Sequence, residues 1–125
     1  MVHGADRLAE DFSEKLVFMF EGEKDVERGW NRELLATCNV GGAKNWKDEL
    51  NTHLKDRTVC IVPDNDKAGT NHAQKVYASL TKSGIDCFIL WDYREGLPDK
   101  GDFSDWMDAN NDDVDRFIDL AVSAQ

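Results

Sequence analysis

Four short, nearly continuous apolar runs constrain this chain more than any other feature. They occupy residues 15–20, 34–40, 58–62 and 86–91, and the first three are closed by Glu21, Gly41-Gly42 and Pro63-Asp64. Runs of this kind, without an apolar–polar alternation, belong to strands buried on both faces, which requires a parallel sheet with helices on each side. The segments between them are amphipathic. A helix is expected over 25–33, and a short one carries Trp46, Leu50 and Leu54 on one face. A longer helix is expected over 68–82, with Ala73, Val76, Tyr77 and Leu80 as its stripe and Gly84 as its stop. Gly96, Pro98 and Gly101 mark a loop after the fourth run. The last helix is expected from Asn111 or Asp112, with the stripe Val114, Phe117, Ile118, Ala121 and Val122. The fold class expected is α/β: a three-layer α/β/α sandwich around a four-stranded, mainly parallel sheet with right-handed crossovers.

At 125 residues the chain has room for one sizeable core. The domain is expected over 15–125, with 1–14 as a leader or the edge of a larger protein. No apolar stretch approaches the roughly 18 residues of a spanning helix. The segment MVHGADRLAEDF lacks the apolar region of a signal peptide. A cytoplasmic, monomeric protein with no membrane partner is expected. Cys38, Cys60 and Cys87 each lie in an apolar run without a CxxC pair, which suits buried, reduced thiols.

Fifteen Lys and Arg against 25 Asp and Glu give a net charge of −10. A domain so acidic does not grip nucleic acid unaided, because phosphate neutralisation needs clustered bases. The aspartates from Asp108 onwards read as caps and a solvated face for the last helix. Others stand where open parallel sheets build their sites, at the carboxyl ends of strands. Glu21 ends the first run, Asp64-Asn65-Asp66 follows the third, and Asp102 and Asp105 follow the fourth. In extended chain Asp64 and Asp66, two apart, would point to one side, and Glu21 would join them if the first and third strands are neighbours. Carboxylates brought together in this way repel one another, and a hard divalent cation, Mg²⁺ or Mn²⁺, relieves the repulsion.

Competing motifs fail. The string from Asp64 has Ala68 and Lys75 where an EF-hand loop needs oxygen ligands. Neither a GxGxxG nor a GxxxxGK[ST] is present. His3, His53 and His72 have no metal-ligand spacing, and no nucleophile triad is supported.

The strings FEGEKD, NVGGAKNW, VPDNDKAG and KGDFSDW, in this order, resemble the Toprim domain, a Rossmann-like metal-binding module of bacterial-type primases, type IA and type II topoisomerases and some nucleases. The resemblance covers about residues 15–108 and is nearest to the primases and primase–helicases of phages, plasmids and related mobile elements. It implies Glu21 as an acid/base or metal-associated residue, Asp64 and Asp66 as catalytic metal ligands, and Asp102 as a further metal-site acid for which Asp105 competes. Asp25 matches a secondary acid, and Gly22 and Gly69 match glycines at tight strand–helix turns. Lys67, Lys24, Lys44 and Lys100 are candidates for nucleotide or phosphate contacts, with Lys67 foremost at a helix start, and Asn65 is a weaker one.

The resemblance implies a DNA primase core that joins NTPs into RNA primers on single-stranded DNA. It would need a helicase or zinc-binding domain in the same or a partner chain. A Toprim nuclease and a non-catalytic interaction module are the alternatives. The tyrosine-bearing domain of a topoisomerase has no counterpart.

Overall fold

The computed structural model describes residues 16–32, 34–38 and 57–125. Strand β1 (Leu16–Phe20) leads into helix α1 (Glu23–Asn31), followed by β2 (Ala36–Cys38). Strand β3 (Thr58–Ile61) leads into helix α2 (Lys67–Lys82) and then β4 (Asp86–Ile89). A single 3-10 turn (Asp92–Arg94), helix α3 (Phe103–Ala109) and helix α4 (Val114–Ala124) complete the described chain. The short helix expected around Trp46, Leu50 and Leu54 lies outside the described residues.

The four strands form one parallel sheet in the order β2-β1-β3-β4. Strand β1 lies inside the sheet, between β2 and β3, and has no polar side chain: Leu16, Phe18 and Phe20 feed one face and Val17 and Met19 the other. Both faces are covered, as the apolar runs require. On one side Val26 of α1, Phe103, Trp106 and Met107 of α3, and Phe117 and Ala121 of α4 close the core. On the other, Ala73, Val76 and Leu80 of α2 pack on Val59 and Ile61. The fold is therefore the expected three-layer α/β/α sandwich. Tyr77 and Val122, expected in the apolar stripes, are 42% and 50% exposed. They flank rather than join the rows at 73, 76 and 80 and at 117 and 121.

Helix α3 was not expected from the loop-forming glycines and proline before it. Its start is fixed by Asp102, whose carboxylate accepts from Asp105 N, while Asp105 accepts from Asp102 N. This reciprocal cap satisfies two of the free donors of a helix start. Its place is fixed by aromatic packing: Phe103 stacks on Phe20 at 4.6 Å, and both Phe103 and Trp106 meet the Phe117 ring edge-on, at 4.7 and 5.3 Å. Because Phe20 precedes Glu21 and Phe103 follows Asp102, that one stack holds two acid-bearing turns together. Helix α4 begins two to three residues later than expected, because Asp113 caps it.

Candidate metal centre

Glu21 ends β1 and Asp64 follows β3. The two strands are neighbours, so the side chain and the turn meet: Asp64 N donates to Glu21 Oε2 at 2.6 Å. The register continues past β3, with Val62 N donating to Met19 O at 2.9 Å. Asp66 converges differently from the extended-strand expectation. The strand stops at Ile61, Asp66 N folds back onto Asp64 O at 2.9 Å, and Asp66 becomes the N-cap of α2. Its Oδ1 accepts from Gly69 N at 2.6 Å, because the unsatisfied N–H groups of the helix start attract the carboxylate.

Gly69 makes this closeness possible. A Cβ there would press into the Asp64 carbonyl and lie 2.9 Å from Glu21 Oε2. Gly22, the N-cap of α1, has open space around it and an extended backbone, so no such demand applies there.

Asp102 lies across the site on the cap of α3, and Lys24 Nζ of α1 stands 3.0 Å from its Oδ2. Asp25, next along α1, is buried and accepts from Ser104 N at 3.1 Å and Ser104 Oγ at 2.7 Å. Asp105 is exposed and spends its carboxylate on the α3 cap.

The electrostatics separate these acids. Burial first, and then the charges of Glu21, Asp25, Asp102 and Asp66, push the Asp64 carboxyl up to about 7. Burial also raises Asp25, against the opposing hydrogen bonds from Ser104. Asp102 goes the other way. Burial acts to raise it, but the Asp105 N–H and the Lys24 ammonium together hold it below the usual carboxylate range.

Lys67, at the first position of α2, and Lys100 are exposed. Lys100 has a left-handed backbone (φ 66°), and its N–H donates to Asn65 O at 2.9 Å. Asn65, named as a possible phosphate contact, instead donates its Nδ2 to Leu97 O and Pro98 O, both at 3.0 Å. Lys44 lies outside the described residues, as do His3 and His53. Cys60 is buried, and burial raises its thiol.

Two residues near the site escaped the sequence reading. Ser104 anchors Asp25 over 79 positions of sequence. Arg94 donates Nη1 to Thr70 Oγ1 at 2.9 Å and, at 3.4 Å, to Asp64 O. The capping pattern Asp102-Phe103-Ser104-Asp105 would have revealed α3 and so placed Ser104. Nothing local marks Arg94, whose partners lie 24 and 30 residues away.

The donor set is all hard oxygen, and the charges that push Asp64 up are those of other carboxylates, which suits Mg²⁺ or Mn²⁺ in type. Glu21, Asp64, Asp66 and Asp102 are the side chains that could hold it. Among the described residues, no three acids, histidines or cysteines form a ready-made cage. Glu21, Asp66 and Asp102 each already serve a backbone N–H through one carboxylate oxygen.

A parallel α/β sheet with acids gathered at the carboxyl ends of its central strands places a candidate site where such sheets bind their ligands. The family model described as Toprim-like matches residues 18–108, well over half of the chain, and the chain belongs to that family. Toprim-like domains typically bind Mg²⁺, and membership implies a metal-binding nucleotidyl-transfer or nuclease-type role. No curated protein and no solved structure matches the chain. Among the described residues, no helix is long and apolar enough to cross a membrane.

Proposed function

We infer that this domain is the metal-dependent nucleotidyl-transfer core of a DNA primase, joining NTPs into RNA primers on single-stranded DNA. The observation that carries the reading is the meeting of the acid-bearing turns: Asp64 N donates to Glu21 Oε2 at 2.6 Å, and the Asp64 carboxyl, crowded by Glu21, Asp25, Asp102 and Asp66, is pushed up to about 7. Glu21, Asp64, Asp66 and Asp102 would hold Mg²⁺ or Mn²⁺. Once bound, the cation would supply charge for the attacking 3′-oxygen and the departing pyrophosphate.

The chain's own residues would do the rest. Lys67 and Lys100, exposed beside the acid-bearing turns, would meet triphosphate oxygens. Lys24 would do so once freed from Asp102. Glu21 accepts a hydrogen bond from the Asp64 backbone through Oε2, which leaves Oε1 to receive a proton or a ligand. The net charge of −10 supports a division of labour in which a further domain, such as a helicase or zinc-binding module, holds the strand.

The test is incubation of end-labelled single-stranded DNA with Mn²⁺, with and without labelled NTPs, alone and with a helicase or zinc-binding module added. New labelled RNA that depends on the template strand and is lost in Asp64→Ala/Asp66→Ala supports the primase reading. Shortening without NTPs replaces it with a nuclease. Strand binding without either change, and without metal, replaces it with a non-catalytic module.

A further inference from the structure

We propose that Arg94 is a positioning residue that sets the two aspartates of the Asp64-Asn65-Asp66 turn for cation binding. The inference rests on the metal-site reading above and adds a residue to it.

The guanidinium is fixed on three counts. Its Cζ sits 4.7 Å from the centroid of the Trp91 ring, a cation–π stack that holds the plane. Nη1 donates to Thr70 Oγ1 at 2.9 Å, and it reaches Asp64 O at 3.4 Å. Thr70 Oγ1 in turn donates to Asp66 O at 3.0 Å. One cation therefore serves the carbonyls of both aspartates, directly at Asp64 and through the Thr70 hydroxyl at Asp66. It does so through the main chain: Arg94 bonds neither carboxylate, and the Asp66 Oδ1 that caps α2 is held separately by Gly69 N. Lys24 does the opposite on the far side, taking the Asp102 carboxylate itself.

The arrangement carries a cost that a casual surface arginine would avoid. Nε is buried and has no hydrogen-bond partner among the described residues. An unmade bond at a buried donor is unfavourable, and its persistence points to an orientation dictated by the other contacts. Lysine could not substitute. An ammonium lacks the plane that stacks on Trp91 and so fixes where Nη1 points. The 3-10 turn that carries Arg94 comes two residues after β4, so the clamp ties the segment after the edge strand to the start of α2.

Outer partners of metal ligands usually contribute about 10–100-fold to metal affinity. The test is Mn²⁺ affinity, read from the electron paramagnetic resonance of free Mn²⁺. The proteins are wild type, Arg94→Met, Arg94→Lys, Thr70→Val and the Arg94→Met/Thr70→Val double variant. Arg94→Met is expected to weaken Mn²⁺ binding about tenfold. Thr70→Val should lose a part of that, and the double variant no more than Arg94→Met alone, because the two act through one contact. Arg94→Lys should recover little. Amide exchange at Asp66 and Gly69 should quicken in Arg94→Met without metal, while exchange in β1 and β3 stays slow.

Arg94→Met that lowers the unfolding midpoint but leaves Mn²⁺ affinity unchanged overturns the proposal and makes Arg94 a packing residue. If Arg94→Met fails to fold, Thr70→Val decides by the same criterion. Wild-type protein that binds no Mn²⁺ overturns both the metal reading and the clamp. Wild-type binding with unaltered variants overturns the clamp alone.

Discussion

Two acidic clusters on this molecule are built from the same residue type to opposite ends. One joins α1 and its C-cap Arg32 to α3 and the segment that follows it. There Arg28 Nη2 stands 2.7 Å from both Asp108 Oδ1 and Asp112 Oδ1, and Arg32 Nη2 stands 3.0 Å from Asp112 Oδ2. These hydrogen bonds hold the Asp112 carboxyl below its ordinary range. The other is the Glu21, Asp64 and Asp66 turn, where the acids crowd one another and Asp64 rises. Where this chain uses aspartate as structure, it supplies the arginine. Around Asp64 the nearby arginine, Arg94, bonds the main chain and not the carboxylates, and the acids are kept for a cation from outside. This corrects the expectation that Asp108 and Asp112 only solvate and cap the last helix, since their partners lie on α1. Asp113 is the one that caps α4.

The largest expected effect would break this comparison outright. Asp64→Ala should weaken Mn²⁺ binding by about a hundredfold in titration calorimetry, because a direct ligand is removed. The same change should leave the metal-free unfolding midpoint unchanged or raise it, since it relieves repulsion. A large drop in that midpoint would put Asp64 with the structural acids.

Next comes pH. The raised Asp64 carboxyl must lose its proton to bind metal, so Mn²⁺ affinity should climb about tenfold per unit up to about pH 7 and then level off. For stability the sign is reversed. The folded state binds this proton more tightly than the unfolded chain, so without metal the Asp64 contribution falls as pH rises from about 4 to about 7. Added Mg²⁺ should offset that loss above pH 7. A flat affinity profile from pH 5 to 8 would remove Asp64 from the ligand set.

Ser104→Ala should cost about 2 kcal/mol in denaturant unfolding, because buried Asp25 loses the Oγ hydrogen bond. The smallest effect is expected of Arg28→Met. It should lower the unfolding midpoint by a few degrees, more at low salt than at high, and leave Mn²⁺ affinity untouched. A change in Mn²⁺ affinity there would join the two clusters into one.

Much of the fold is legible in the chain because the strands are apolar on both faces. β1, β3 and β4 lie within their expected runs, and α2 begins one residue early. The convergence of Glu21 with Asp64 followed from a single condition, that β1 and β3 pair, which they do. What escaped is of two kinds. Helix α3 is short and follows Gly96, Pro98 and Gly101, so its turn signals hid a cap that was written in Asp102 and Asp105. Arg94, Ser104 and the Arg28 pairs depend on residues 24 to 84 positions away, and no local pattern encodes such meetings. The Asp66 carboxylate was assigned to the site by its spacing. The helix start it serves in the structure is a competing use that spacing alone does not weigh.

The central position of β1 has a consequence for how the chain is made. Leu16–Phe20 is the earliest of the described strands to leave the ribosome, and both of its neighbours come later. Its pairing with β3 waits for about 40 further residues, on the order of 2–8 s at ordinary synthesis rates. For that interval a five-residue strand without a polar side chain has one edge open, which is the form most prone to join another chain. Glu21 and the acids after it stand directly behind this strand. The charges that later crowd the finished site would first serve as the nascent chain's guard against self-association.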